Sequence, residues 1–207
     1  LTAASSATGR LTKLRASINE RGLIEALDYD QIDDVGAYPR APEPASLYRM
    51  HGNLSGAYKV KNISCRNRVV LTNKTPSGLN RGFGGPQHYF ALERLVHQIA
   101  VELNLNVLDV IKVNLLEKNQ FPYKSPSGAL LDSGDFQKLI RKVVKSSTYK
   151  NILKKKNNAI KNGKIYGIGY SAIIEPSISN MGYVTTALPY KDREKTGHKG
   201  GALASTS

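Results

Sequence analysis

Near the start of the chain apolar residues alternate with polar ones, and further on they recur at three- and four-residue intervals, so strands are expected first and helices after them. Over 12–20, TKLRASINE sets Leu14, Ala16 and Ile18 on one face of a strand. The run LIEALDYDQI begins just after Arg21 and Gly22, which predicts a hairpin about that glycine. Prolines at 39, 42 and 44 forbid a regular helix and give PRAPEPA an extended path. A further strand is predicted over 66–72, with the apolar run VVL inside it, followed by a turn-rich stretch over 73–85.

The pattern changes at Pro86. From Gln87 onward, Ala91, Leu92, Leu95, Val96, Ile99, Ala100 and Leu103 describe an amphipathic helix, and a shorter helix is expected over 108–115. After the loop FPYKSPSGALLDSGD, Ser133 or Asp132 is expected to cap a helix that buries Phe136, Leu139, Ile140, Val143 and Val144. A last helix over 149–160 stops at Asn162 and Gly163. KIYGIGYSAIIEP then has the β-branched and aromatic content of a strand, its glycines at 167 and 169 permitting close backbone approach, and 177–187 is expected to pair as well. The fold class this predicts is α+β, with strands and a loop over 1–86, helices over 87–161, and strands and a tail over 162–207.

Composition narrows the choices. At 207 residues and 40% hydrophobic content the chain has material for a core, and its one cysteine excludes an internal disulfide framework or a four-thiolate metal site. A reducing, cytoplasmic setting is the expectation. No apolar run reaches the roughly 18–20 residues that cross a bilayer, and LTAASSATGR lacks the order of a secretory signal.

The 30 Lys and Arg outnumber the 16 Asp and Glu, for a net charge of +14. The excess is local. Lys138, Arg141, Lys142, Lys145, Lys150, Lys154, Lys155, Lys156, Lys161 and Lys164 follow one another without an intervening acid. Nucleic-acid apparatus would interleave aromatics or show a recognition motif, and only Tyr149 stands among these residues, so the solvated face of two surface helices is the simpler reading. A basic module that binds nucleic acid or an acidic partner protein is the alternative.

The residues with most chemistry in them are NKTPSGLNRGFGGPQ, over 73–87, directly ahead of the long helix. Gly82, Gly84 and Gly85 remove side chains where the first N–H groups of that helix point outward, so backbone donors there suit an anion. Arg81 adds a charge, Phe83 a flat apolar wall, and Pro86 fits the first turn because it has no N–H. Loop-to-helix packing would ask for the same glycines. The nucleotide phosphate loop is excluded, since no Gly-Lys-Ser/Thr follows, and the dinucleotide fingerprint fails on spacing.

NRGFGGPQ followed by an ALER-type helix resembles the molybdopterin-binding subunit of the molybdenum hydroxylases, the family of xanthine dehydrogenase, aldehyde oxidase and the aerobic carbon monoxide dehydrogenase large subunit. DDVGAYPRAPEPA, LYRMHGN and VVLTNKTPSGLNRGFGGPQ before it extend the resemblance, as do LNLNVLDVIKVNLL, FPYKSPSGALLDSGD and GIGYSAIIEPS after it. The resemblance implies a molybdenum–molybdopterin cofactor, with Arg81 beside it and Gly82, Gly84 and Gly85 letting the backbone approach. It makes Phe83 the substrate-facing residue and sets Arg49 near a substrate-orienting arginine. It further implies an iron–sulfur small subunit and an FAD-binding subunit as partners, a small-molecule substrate, and no binding of nucleic acid or membrane. The family's earlier glycine loop and its late base glutamate have no counterpart here, so no catalytic residue is expected within an apparently internal part of a longer subunit; Glu175 reads as structural.

Other chemistry finds little support. His51, His88, His97 and His198 lack metal-ligand spacing, so no protein metal ligand is assigned, and His97 reads as a partly exposed helix residue. Cys65 is expected to be a buried or half-buried thiol. No G-x-S-x-G elbow is present.

Overall fold

The computed structural model describes residues 7–39, 49–78, 80–82 and 84–174, and of Arg49 the backbone alone. The expected extended path over 40–48 and the pairing of 177–187 lie outside these residues. Strands β1 (Gly9–Ile18) and β2 (Ile24–Asp34) form the predicted antiparallel hairpin, and β3 (Asn62–Val70) joins β2 in parallel, giving the order β1-β2-β3. The hairpin turn is made locally. Gly22 takes φ +74°, and the Asn19 side chain accepts from the backbone N–H groups of Arg21 and Leu23.

Among the described residues four α-helices follow: α1 (Gly85–Glu102), α2 (Val107–Asn114), α3 (Phe136–Lys145) and α4 (Ser147–Lys161). The core lies between the sheet and α1–α2, where Leu27 and Tyr29 of β2 meet Leu92, Val96 and Ile99 of α1 and Val110 and Ile111 of α2. Asn114 ties this assembly together. Its buried amide donates to the carbonyls of Gly22 and Val110, both at 2.8 Å, and its oxygen accepts from Ile24 N at 2.7 Å. The chain is therefore a mixed α+β unit with its best-packed part ahead of residue 117.

Several expectations are corrected. The cap of α3 is Asp135, whose side chain accepts from Lys138 N at 2.9 Å, because an N-cap must immediately precede the first turn and Ser133 and Asp132 stand too early. No residue of α3 is fully buried: Leu139 is 60% and Val143 51% exposed, since the apolar side of this helix faces an open groove and not a sheet. Cys65 is exposed, because β3 is an edge of the sheet. The stretch 164–174 forms no strand among the described residues, and an added Cβ at Gly167 or Gly169 would meet nothing within 4 Å. As expected, His97 is half-buried on its helix.

Candidate functional site

The glycine segment is held from below by the end of β2. Gly36 takes φ +77°, and a Cβ there would lie 2.5 Å from Thr75 O. This close approach lets Thr72 N donate to Gly36 O at 2.9 Å and Ala37 N to Lys74 O at 3.0 Å, while Ser77 N donates to Val35 O at 3.0 Å. Asp34 anchors the same loop through Lys74 Nζ, Thr72 Oγ1 and Gly36 N, and these bonds hold its carboxyl down at about 2, well below the ordinary value.

Beyond that loop, Gly82 and Gly84 both adopt positive φ, +94° and +81°, and Gly85 N donates to Gly82 O at 2.7 Å to close the turn that starts α1. A Cβ on Gly82 would come within 2.8 Å of Pro86 Cδ, so this glycine already meets a packing demand within the turn. Gly84 and Gly85 are buried at the head of the helix, and His88 N donates back to Gly84 O at 3.1 Å. Arg81 stands exposed at the lip. Together Arg81, Gly82 and Gly85 line an open groove of about 680 Å³, whose floor is α1 through Tyr89, Glu93 and His97 and whose far wall is Ser171 and Ile173. Phe83 and the Arg49 side chain lie outside the described residues; residue 49 opens a short 3-10 turn, Arg49–Asn53.

Two buried groups of α1 were given no role in the sequence, Glu93, which lines the groove, and His88, which does not. Glu93 accepts from Tyr58 Oη at 3.0 Å and from Ala172 N at 3.0 Å; burial pushes its carboxyl up, against the pull of those two donors. His88 is fully enclosed and stacks on Tyr29 with centroids 5.7 Å apart, and burial, with Arg10 nearby, pushes its pKa down to about 3. The signal for Glu93 was present. It lies three residues before Val96 and seven before Ala100, inside the arc that α1 buries.

The arrangement suits an anionic ligand. It offers two exposed guanidiniums, those of Arg81 and Arg94, and the start of an 18-residue helix, and the carboxylate lining the groove, Glu93, has its oxygens engaged by Tyr58 and Ala172. Among the described residues no three His, Cys, Asp or Glu converge to hold a metal.

The class this defines agrees with comparison to known proteins. Residues 1–115 match the family model of the molybdopterin cofactor-binding domain, and the chain belongs to that family. It is 30% identical over 134 residues to the carbon monoxide dehydrogenase large chain of Hydrogenophaga pseudoflava, covering 62% of this chain and 16% of that one. It is 25% identical over 185 residues to the nicotine 6-hydroxylase large subunit of Paenarthrobacter nicotinovorans, covering 88% of this chain and 22% of that subunit. In structure it is similar to quinoline 2-oxidoreductase from Pseudomonas putida 86, with TM-score 0.68 and 25% identity over 77% of this chain and 21% of that one. The Cu,Mo-CO dehydrogenase matches with TM-score 0.61, also at 25% identity, over 77% of this chain and 21% of that one. The chain thus spans about a fifth of the length of these relatives.

Proposed function

We propose that this chain is part of the large subunit of a molybdenum-dependent oxidoreductase that hydroxylates a carbon centre of a small molecule with oxygen from water. Aldehydes, N-heterocycles and CO-type substrates are the classes in view. Electrons would leave through iron–sulfur clusters and FAD on partner subunits, in a cytoplasmic setting; among the described residues no helix is long and apolar enough to cross a membrane. The observation that carries this reading is the Arg81–Gly82–Gly84–Gly85 turn opening onto a groove at the head of α1, in a chain of the molybdopterin-binding family.

When bound, molybdopterin supplies the redox centre, and this chain supplies position and access. Arg81 would hold the negative charge of the cofactor at the lip of the groove. The left-handed turn at Gly82 and Gly84 would keep side chains away from it, and Asp34, through Lys74 and Thr72, would hold the loop that carries the turn. Phe83 is assigned to the substrate side of the same turn and Arg49 to substrate orientation.

The test is Arg81→Ala and Arg81→Lys in the full-length large subunit assembled with its partners. A charge-assisted hydrogen bond contributes about 1.5–3 kcal/mol, so Arg81→Ala should lower bound molybdenum and pterin, or kcat/KM, about 10- to 100-fold. Lys should rescue only part of the loss, because it lacks the planar fork. Undiminished cofactor content together with unchanged kcat/KM in Arg81→Ala would sink the assignment.

A further inference from the structure

The buried face of β2 changes character along its length. Leu27 and Tyr29 belong to the apolar core, whereas Gln31 and Asp33, the next two residues on that face, are polar and fully enclosed. Asp33 is satisfied. It accepts from Arg10 through both oxygens, at 2.6 and 2.9 Å, and from Asn67 Nδ2 at 2.9 Å. Gln31 is not, since neither its Nε2 nor its Oε1 meets a hydrogen-bonding group of the protein.

Two neighbours share that condition. Asn67 stands beside Gln31 in the β2–β3 register, and its enclosed Oδ1 has no partner; the bond from Nδ2 to the Asp33 carboxylate, which can only accept, fixes the amide that way round. His88 comes from α1. Its ring stacks on Tyr29, two residues before Gln31, and feels the charge of Arg10, which is paired to Asp33 two residues after it, so the imidazole stands over Gln31. Both of its ring nitrogens are enclosed and unpartnered.

A buried donor or acceptor left unmade costs its full desolvation penalty, and several of them in one spot would cancel a large share of a domain's net stability. Whatever meets these groups must both donate and accept. Gln31 offers both kinds of atom, neutral imidazole offers one N–H and one bare nitrogen, and Asn67 adds an acceptor. An ion of either sign answers only part of that set, and Arg10 and Asp33 already neutralise each other beside it. Full enclosure of Gln31 and His88 rules out a large molecule. We infer that Gln31, Asn67 and His88 form an internal water-binding site that bridges β2 and β3 to the first turn of α1. The site lies directly behind the glycine turn, because His88 N donates to Gly84 O at 3.1 Å. It holds that turn against the sheet whether or not the groove in front takes a cofactor.

A crystal structure of the full-length large subunit with its partners, at a resolution that shows ordered solvent, tests this. At least one water is expected within about 3.2 Å of both the Gln31 amide and a His88 ring nitrogen. A direct hydrogen bond between the two side chains, or the want of any such water, would overturn the inference. Stability gives an independent reading. Gln31→Met keeps the length of the side chain and removes its polar atoms, so a water-bonded Gln31 predicts that the Tm of the intact 207-residue chain falls by about 2–4 °C. An unpartnered Gln31 predicts the opposite sign, because the substitution then removes a penalty. A Tm that rises or stays the same would equally count against the site.

Discussion

The later pair α3 and α4 is more sharply amphipathic than α1 and α2, yet only the hairpin with α1 and α2 closes a core. Leu92 and Val96 of α1 are fully enclosed because the sheet lies across from them. Leu139 and Val143 of α3 have the same helical spacing and remain more than half exposed, because the element facing them is the unpaired stretch 165–174. An apolar stripe specifies which side of a helix turns inward; what it buries depends on a second surface being complete. The boundary is the same from both directions. The buried cluster ends at Leu115 and the family match ends at residue 115.

The sharpest way to break that contrast is to truncate one leucine in each half. Leu92→Ala should cost about 2–5 kcal/mol, as expected for a cavity in a closed core. Leu139→Ala should stay within about 0.5 kcal/mol, as for exposed positions. Denaturant midpoints measured with unchanged m-values would compare them, and comparable losses at the two sites would mean that α3 is as well covered as α1.

Glu93 joins the two halves, since it holds Tyr58 of the first and Ala172 of the second. Glu93→Leu leaves the enclosed Tyr58 hydroxyl without its acceptor and should cost about 1–3 kcal/mol. Glu93→Gln keeps an acceptor and should cost less than about 1 kcal/mol. Adding Tyr58→Phe to Glu93→Leu should recover part of the loss, because both partners are then gone, and a double-mutant cycle measures that coupling. A cycle that closes with no coupling would show that Glu93 acts through bulk packing alone.

What the sequence revealed follows the same division. The hairpin, α1 and α2 were legible because period, turn glycine and core position agree locally, and the candidate turn over 81–85 was legible as glycines ahead of a helix. The reading of α3 failed on burial because an apolar stripe does not say whether the surface facing it is closed, and here it faces an open groove. The stretch 165–174 has strand composition, but a ladder needs a partner that composition does not supply. Exposure of Cys65 depended on β3 being an edge, which no local pattern reveals. Glu93 was passed over because a charge within an apolar arc is read as an exception until Tyr58, 35 residues earlier, is found beneath it.

The smallest effect separates the loop under the glycine turn from the stretch facing it. Asp34 fixes that loop by charge as well as by backbone bonds, whereas no carboxylate of its own holds 165–174. Its carboxyl sits at about 2 when folded against an ordinary 3.8, so the unfolded chain takes up the proton first as pH falls. The stabilisation is therefore complete above about pH 4 to 5, fades between about pH 4 and 2, and is absent below. In urea titrations the unmodified chain should exceed Asp34→Asn in midpoint at pH 7, and the gap should narrow as pH approaches 2. A gap that keeps its size across that range would assign the loop's hold to the shape of the side chain and not to its charge.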